Sequence, residues 1–263
     1  MARQARKESP SGYYHVMMRG NNREEIFGLE RQKVYFIELM RMAANIEIAA
    51  FCIMDNHVHL VLKGDVADVS TEIKKINIKY AMMINREEKR TGHVFQGRFR
   101  SEEIFDDSHF LQVVRYIHNN PVKAGIVTKA ADYFWSSFVE HVNSKGYAVS
   151  AKQLEFVQQY FGGKMESFIQ YHYKEDYAEF LDMKEDIERY RIEAGQKIIE
   201  QFCDVRGILS SQEIHRVSGL LDELILKLLQ GTKLSHRQIA SLLEISASVV
   251  HTTSVEIQAR KKE

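Results

Sequence analysis

The first 140 residues alternate between short apolar runs with a period of two and longer segments whose apolar positions recur every three to four residues. The period-two runs, which are typical of β-strands, lie at residues 12–19, 46–55, 57–63 and 97–105. Helical spacing occurs at residues 31–45, 69–91 and 107–118. The order β-α-β-β-α-β, followed by a further helix, predicts an α+β fold: a ferredoxin-like antiparallel sheet with helices on one face.

The pattern changes in the second half of the chain, which we expect to be all-α. An apolar helix at residues 220–229 ends at Gly231, and Ser235 is placed to cap a short helix at 236–243. Another helix starts at Ala247. Two short helices joined by a tight turn predict a helix-turn-helix, although a plain helical bundle has the same pattern. We therefore expect a catalytic domain at 1–142, a helical connector at 143–206 and a helical domain at 207–263.

Composition excludes several classes of protein. The net charge is zero, which argues against a nucleic-acid-binding protein whose whole surface is basic. The two cysteines, Cys52 and Cys203, cannot form a disulfide framework or a cysteine zinc cluster. The chain has no apolar signal core and no run of membrane-spanning length, so we expect a soluble, cytoplasmic protein without a membrane partner. A local basic excess does occur between Lys74 and Arg100.

The candidate chemistry starts with two histidines in one predicted strand. His57 and His59 are two residues apart, so their imidazoles share one face of the strand. Tyr116 and Asn120 are four residues apart on the last helix of the first half and point the same way. If that helix covers the histidine face, His57, His59 and Asn120 form a three-ligand metal site beside Tyr116. The alternatives are ordinary strand histidines and a tyrosine that only packs.

Five segments together resemble the HUH single-tyrosine transposases, and within them the REP-associated tyrosine transposases. These segments are YHVMMRGNN at 14–22, MDNHVHL at 54–60, FQGRF at 95–99, RYIHNNPV at 115–122 and WSS at 135–137. The resemblance covers about residues 12–140. It implies that Tyr116 is the nucleophile and that His57, His59 and Asn120 hold a divalent metal. It also implies cutting and joining of single-stranded DNA near hairpins.

The residue types suit that chemistry. A mixed nitrogen and oxygen site suits Mg²⁺ or Mn²⁺, and a divalent ion polarises and orients a scissile phosphate. We expect Tyr116 to attack phosphorus, stay joined to the 5′ side and release a 3′-hydroxyl. The phosphotyrosine keeps the energy of the phosphodiester, so a 3′-hydroxyl can reverse the step without ATP.

Basic and polar residues around these motifs are candidates for DNA contact, with single-stranded or hairpin DNA as the expected partner and nucleoid association as a consequence. An alternative for the basic helix is a solvated face, and turn geometry explains Asn21 equally well. Whether the protein acts as a monomer or a homodimer stays open. The candidate DNA-binding residues are Arg19, Asn21, Lys74, Lys75, Lys79, Gln96, Arg98, Arg100 and Arg115.

Two further functional classes compete with a DNA strand transferase. The first is a non-catalytic DNA-binding regulator that uses the helix-turn-helix. The second is a single-strand nucleic-acid-binding sheet of the RNA-recognition type. That sheet needs exposed aromatic residues on its central strands, where this chain has His57 and His59.

Overall fold

The computed structural model describes residues 6–174, 180, 184–208, 214 and 219–260. The chain divides into two compact units, residues 1–174 and 175–263. The division falls inside the range 143–206 that the sequence analysis assigned to a connector. Each unit is described separately below.

The first unit is built around a four-stranded antiparallel sheet with the strand order β2-β3-β1-β4. The strands are β1 (Tyr13–Arg19), β2 (Glu47–Ile53), β3 (His57–Lys63) and β4 (Arg100–Ile104). Helix α1 (Glu30–Arg41) connects β1 to β2, and α2 (Val66–Glu87) connects β3 to β4. The predicted α+β class with an antiparallel sheet is confirmed.

Two elements begin or end at other residues than their apolar patterns suggest. The predicted strand at 97–105 begins only at Arg100, because Gly97 has a φ of 72°, which lies outside the strand region. The predicted helix at 69–91 starts earlier, at Val66, and ends at Glu87. Lys89 follows with a φ of 50°, which stops the helix from continuing.

The two faces of the sheet carry different residues, because neighbouring side chains on a strand point to opposite sides. Tyr14, Val16 and Met18 of β1 belong to the hydrophobic core that α1 and α2 complete with Phe36, Ile73 and other apolar residues. His15, Met17 and Arg19 point to the other face. Helix α3 (Asp107–His118) packs against β2 and β3. Helices therefore lie on both faces of the sheet. Helices α1 and α2 share one face, as expected, and α3 lies on the other.

Four further helices complete the first unit: α4 (Asn120–Lys123), α5 (Phe138–Asn143), α6 (Ala151–Tyr160) and α7 (Met165–Tyr173). The chain between α4 and α6 covers the outer edge of β2. The amide nitrogen of Ile53 donates to the carbonyl of Trp135, and the amide nitrogen of Ser137 donates to the carbonyl of Phe51. This cover satisfies backbone groups that an exposed edge strand would leave unpaired.

Backbone hydrogen bonds join three sequence motifs at one end of the sheet. The amide nitrogen of Gly20 donates to the carbonyl of Asn56, and that of Gln96 donates to the carbonyl of Arg19. Position 20 has no room for a side chain, since an added Cβ would lie 2.2 Å from the carbonyl oxygen of Glu24. Glycine is therefore required where the loop after β1 turns beside the histidine strand.

The second unit is helical in its described part. Its helices are α8 (Lys184–Arg206), α9 (Leu220–Gly231), α10 (His236–Leu242) and α11 (Ala247–Arg260). Leu224, Leu228, Ile239 and Val250 are among the residues of their shared core. Ser235 caps α10 as expected: its side chain accepts from the Gln238 amide, and the Gln238 side chain accepts from the Ser235 amide at 2.9 Å. Across the described ranges, we find no helix both apolar and long enough to cross a membrane.

Candidate active site

The two histidines of β3 project into a buried space between the sheet and α3. The exposed fraction is 9% for His57 and 0% for His59. Their ring centroids are 5.1 Å apart and the ring planes are nearly perpendicular, at 89°. The alternation of the strand thus brings both imidazoles to one face, where α3 excludes water.

Asn120 reaches the same space from the start of α4. Its Oδ1 atom lies 3.3 Å from Nε2 of His57, and the residue is fully buried. Asn119 separates α3 from α4 with φ −88° and ψ 0°, so the helix axis breaks just before Asn120. This break directs the Asn120 amide toward the histidines.

Tyr116 lies on α3, one turn before Asn120. The centroid of its ring is 5.7 Å from that of His59 and 6.0 Å from that of His15, with edge-to-face geometry in both pairs. The Nζ atom of Lys123 lies 4.6 Å from the centre of the same ring. Asp106 fixes the start of α3, because its carboxylate accepts from the His109 amide at 2.8 Å. The structure therefore brings together all four residues that the sequence singled out as ligands and nucleophile.

Hydrogen bonds define which ring nitrogens face the site. Nδ1 of His57 lies 2.6 Å from Oδ1 of Asn56, an amide oxygen that can only accept, so Nδ1 carries the proton. In the neutral ring, Nε2 then presents a lone pair to Oδ1 of Asn120, which also presents a lone pair. With the amide in this orientation, a cation or a proton near the two acceptors would stabilise the arrangement, whereas the reverse orientation would let Nδ2 of Asn120 donate to Nε2 of His57.

The second histidine has a similar arrangement. Nδ1 of His59 is 3.0 Å from Nε2 of His15, while Nε2 of His59 is buried with no hydrogen-bond partner among the described residues. Two imidazole nitrogens and one amide oxygen are a donor set that fits a divalent cation. Within the described ranges, no cluster of three or more His, Cys, Asp or Glu residues is arranged to hold a metal, and the third donor here is an amide.

Burial also determines the protonation state of His59. Its pKa lies well below 6.5, chiefly because the ring is removed from water, and secondarily because a proton on His59 would be repelled by one on His57 and by the charge of Arg19. His59 is therefore neutral at physiological pH. A neutral imidazole is the form that binds a metal ion.

Part of the predicted DNA-binding set lies near this pocket. Arg19 pairs with His57 across β1 and β3 and is buried, whereas Arg100 pairs with Met17 on the other side of β1 and is exposed. Gln96 and Arg98 are exposed in the loop before β4. Asn21 is partly buried, and its amide nitrogen donates to the carbonyl of Val94.

The remaining members of that set lie elsewhere. Lys74, Lys75 and Lys79 are exposed on α2, which packs on the sheet face opposite the histidines, and Lys75 is 2.7 Å from Glu72. The guanidinium of Arg115 lies 4.4 Å from the centre of the Tyr171 ring, and Nη1 donates to the Tyr171 carbonyl. The structure does not bring the three lysines to the histidine pocket.

Three residues beside the site were not predicted as part of it: His15, Asn56 and Lys123. His15 has the strand parity that places it on the histidine face, but this contact also depends on β1 pairing with β3. Asn56 directly precedes His57 in the hairpin. Lys123 follows a helix break that the sequence indicated through Asn119-Asn120-Pro121.

A second histidine cluster, also unpredicted, lies behind α3. Nδ1 of His118 is 2.9 Å from Nε2 of His172, and Nε2 of His118 is 2.7 Å from Oγ of Ser137. Nε2 of His141 donates to the carbonyl of Ala49 at 3.0 Å. These buried contacts connect α3 to α7, to the start of α5 and to β2, and so fix the helix that carries Tyr116.

Comparison with known proteins is consistent with this site. Residues 8–120 match the family model described as transposase IS200 like. A Haemophilus influenzae protein, provisionally named a REP-associated tyrosine transposase, is 30% identical over 112 residues, and the match covers 38% of this chain and 64% of that protein. The resemblance to the tyrosine transposases is thus confirmed for the segment that contains His57, His59, Tyr116 and Asn120. The chain spans less than two thirds of this relative.

Two solved structures are also similar. One, described as a REP-associated tyrosine transposase bound to a REP hairpin, is 20% identical with a TM-score of 0.48, covering 57% of this chain and 94% of that one. The other is a crystal structure from Deinococcus radiodurans R1, provisionally described as a transposase. It is 16% identical with a TM-score of 0.31, covering 45% of this chain and 95% of that one.

Proposed function

We propose that the first unit is a metal-dependent transposase and endonuclease that cuts and rejoins single-stranded DNA at hairpin-containing repeats, with Tyr116 as the nucleophile. The observation that carries this proposal is the position of the Tyr116 ring against His59, in the pocket that also holds His57 and Asn120. The strand order β2-β3-β1-β4 and the βαββαβ connection support a ferredoxin-like arrangement. Hairpin DNA as substrate is supported by the motif resemblance.

In this proposal His57, His59 and Asn120 hold Mg²⁺ or Mn²⁺. A bound divalent cation supplies Lewis-acid polarisation of the scissile phosphate. The chain itself contributes a neutral His59, a buried amide oxygen and a helix that keeps the phenol of Tyr116 beside them. The ammonium of Lys123 adds a positive charge at the tyrosine ring.

The reaction forms one bond and breaks another. The Tyr116 oxygen attacks phosphorus and loses its proton to solvent, while the bond between phosphorus and the 3′-oxygen breaks and that oxygen takes up a proton. The 5′ end stays linked to the protein as a phosphotyrosine. A 3′-hydroxyl that attacks the same phosphorus releases Tyr116 and rejoins the strand, so no ATP is required.

We propose two groups of DNA contacts from the predicted set. Gln96, Arg98 and Arg100 are exposed. The Gln96 backbone bonds to Arg19 and Arg100 pairs with Met17, so these three residues would bind the strand that enters the pocket. Lys74, Lys75 and Lys79 would bind phosphates on a separate surface formed by α2. Arg19, Asn21 and Arg115 are more buried, so their contribution to DNA binding would be mainly through the shape of the site.

The test is covalent capture of labelled DNA. Full-length protein is incubated with a labelled single-stranded hairpin and Mn²⁺, and products are separated on denaturing gels. We expect a protein–DNA adduct that Tyr116→Phe and His57→Ala both abolish, with excess Mn²⁺ restoring some activity to the histidine variant alone. Tyr173→Phe is the matched control, because this tyrosine is half exposed on α7. An adduct with Tyr116→Phe would place the nucleophile elsewhere, most simply in the tyrosine-rich segment after residue 143.

A second candidate function concerns α10 and α11. Helix α11 buries Val250 and Thr253 but exposes Ser248, His251 and Thr252. A helix with a polar exposed face, preceded by a short capped helix, is suited to the major groove of duplex DNA. We propose that this helix-turn-helix binds duplex DNA. A non-catalytic regulator would use the same activity.

The two functions are separable by experiment. His251→Ala combined with Thr252→Ala should weaken duplex binding in a gel-shift assay while hairpin cleavage in the same preparation stays at the wild-type level. Val205→Ala, on an exposed position of α8, is the control. Duplex binding by a wild-type protein that forms no adduct on any hairpin would favour the regulator. Unchanged duplex binding by the double variant would contradict the proposed role of α11.

A further inference from the structure

His15 contacts one of the proposed metal ligands from the neighbouring strand. Met17 is the cross-strand partner of His59, so His15 lies on the same face, two residues along β1. Nε2 of His15 is 3.0 Å from Nδ1 of His59, and both rings are buried. The contact is a hydrogen bond between two imidazoles, and its direction decides what His59 offers to the site.

This hydrogen bond has two possible directions, because one of the two nitrogens, Nε2 of His15 or Nδ1 of His59, must carry a proton and the other must be unprotonated. If His15 donates, a neutral His59 keeps its proton on Nε2, where it finds no acceptor among the described residues. If His59 donates from Nδ1, its Nε2 presents a lone pair instead, and a neutral His15 keeps its own proton on its buried Nδ1. Each form therefore buries one further ring N–H, and the two forms differ mainly in what His59 offers to the site.

The neighbouring ligand shows which form suits the site. His57 has its proton on Nδ1, because Asn56 offers only an amide oxygen there. When His59 has the same tautomer, both rings present bare Nε2 atoms. Both can then share a cation with the amide oxygen of Asn120, and the cation removes the cost of the buried lone pairs. The opposite tautomer would put a proton where the second ligand atom belongs.

We propose that His15 is a positioning residue that accepts the Nδ1 proton of His59 and thereby fixes Nε2 of His59 as the metal-binding atom. The proposal rests on the metal site of the proposed function. Histidines that bind metals usually donate their other N–H to a neighbouring group. Loss of that group typically weakens metal binding or activity by about 10-fold to 100-fold.

The first test reads the tautomer directly. Long-range ¹H–¹⁵N NMR spectra of metal-free, full-length protein with ¹⁵N-labelled histidine distinguish a proton on Nδ1 from one on Nε2, and His59→Gln assigns the signal. We expect the Nδ1–H form for His59 in the wild-type protein. A proton on Nε2 of His59 would overturn the proposal, whatever the enzyme does with DNA.

The second test compares variants of His15 by Mn²⁺ titration, followed by electron paramagnetic resonance. His15→Phe removes the acceptor, and we expect about 10-fold to 100-fold weaker Mn²⁺ binding. His15→Gln keeps an acceptor oxygen, so binding should recover toward the wild-type value. His93→Phe, at an exposed histidine, controls for loss of a ring that binds Mn²⁺ nonspecifically.

The outcomes separate this proposal from the function on which it rests. Wild-type affinity in His15→Phe would overturn the role of His15 and leave the metal site intact. A wild-type protein that binds no Mn²⁺ would overturn both. If His15→Phe does not fold, the wild-type tautomer and the Mn²⁺ affinity of His15→Gln test the proposal instead. A His15→Gln protein that binds Mn²⁺ as weakly as His59→Gln would contradict the acceptor role of His15.

Discussion

Oδ1 of Asn120 lies 3.3 Å from Nε2 of His57, and both atoms present lone pairs when the ring is neutral and its proton is on Nδ1. Such an apposition is unfavourable without a positive charge between or beside the two atoms. Nε2 of the neighbouring His59 is also buried without a partner among the described residues. These lone pairs support the cation site proposed above.

Two substitutions of Asn120 should separate an oxygen ligand from a packing residue. Asn120→Asp keeps an oxygen in the same place and adds a negative charge, so Mn²⁺ should bind at least as tightly as in the wild-type protein. Asn120→Ala removes the oxygen, and we expect binding to weaken by at least about tenfold. Mn²⁺ titration of both variants measures the difference. Equal affinities of the alanine and wild-type proteins would show that Asn120 is not a ligand.

The buried histidine cluster behind α3 predicts how stability depends on pH. Burial lowers the pKa of His141 to about 4 and that of His172 to about 3, although each ring also donates to a backbone carbonyl that acts in the opposite direction. Burial likewise lowers the pKa of His118. In the unfolded chain these rings have pKa values of about 6.5, so the unfolded state takes up protons first as pH falls.

These buried histidines therefore stabilise the folded protein less as pH falls. The contribution to stability is complete above about pH 6.5 and is lost as pH falls toward 4 for His141 and toward 3 for His172. The expected slope is up to about 1.4 kcal/mol per pH unit for each ring. Urea unfolding at pH 7.5, 6.0 and 5.0 measures it, with His172→Gln expected to have a smaller slope. Stability that stays constant between pH 7.5 and 5 would mean that these rings are not buried and neutral.

The apolar pattern predicted the four strands and helices α1 to α3 of the first unit, because strands with one covered face and helices with one apolar stripe differ clearly in period. Their ends were less predictable. Gly97 interrupts the last strand through its positive φ, and the pattern of apolar residues does not encode that conformation. The unit boundary at residues 174 and 175 was also not visible, since α7 and α8 have similar amphipathic sequences.

The site was predictable where its residues share one element and unpredictable where it depends on pairing between elements. His57 and His59 follow from strand alternation. Helical spacing placed Tyr116 and Asn120 together on one predicted helix, but in the structure α3 ends at His118 and α4 begins at Asn120. The bond between His15 and His59 requires the β1–β3 register, which one sequence does not give. The face of the sheet that carries the α2 lysines was also unpredictable, because a basic helix gives no indication of which face it covers.

Asp55, in the hairpin turn before the histidine strand, forms an ion pair with Lys33 of α1, and the two side chains differ in burial. Nζ of Lys33 is 2.6 Å from Oδ1 of Asp55, and the Lys33 side chain is 7% exposed whereas that of Asp55 is 50% exposed. Asp55→Ala leaves a buried ammonium without its carboxylate, so we expect a loss of about 1–2 kcal/mol in the free energy of unfolding. Lys33→Met removes the charge and fills the space, so its cost should be smaller. Denaturant titration of both variants checks the order, and a reversed order would contradict the burial argument.

The last prediction concerns Lys123, whose Nζ atom lies 4.6 Å from the centre of the Tyr116 ring. In the proposed reaction, negative charge would develop on the phosphate and on the entering and leaving oxygens beside this ring, and a fixed positive charge would stabilise it. Lys123→Met should therefore slow adduct formation by at least about tenfold at saturating hairpin DNA, while Lys123→Arg keeps most of the rate. Single-turnover measurements report the chemical step separately from DNA affinity. Lys129→Met, at an exposed lysine nearby in the chain, is the matched control for loss of one positive charge. If both methionine variants slow the reaction equally, Lys123 contributes only to the overall charge of the surface, and its position at Tyr116 has no special role.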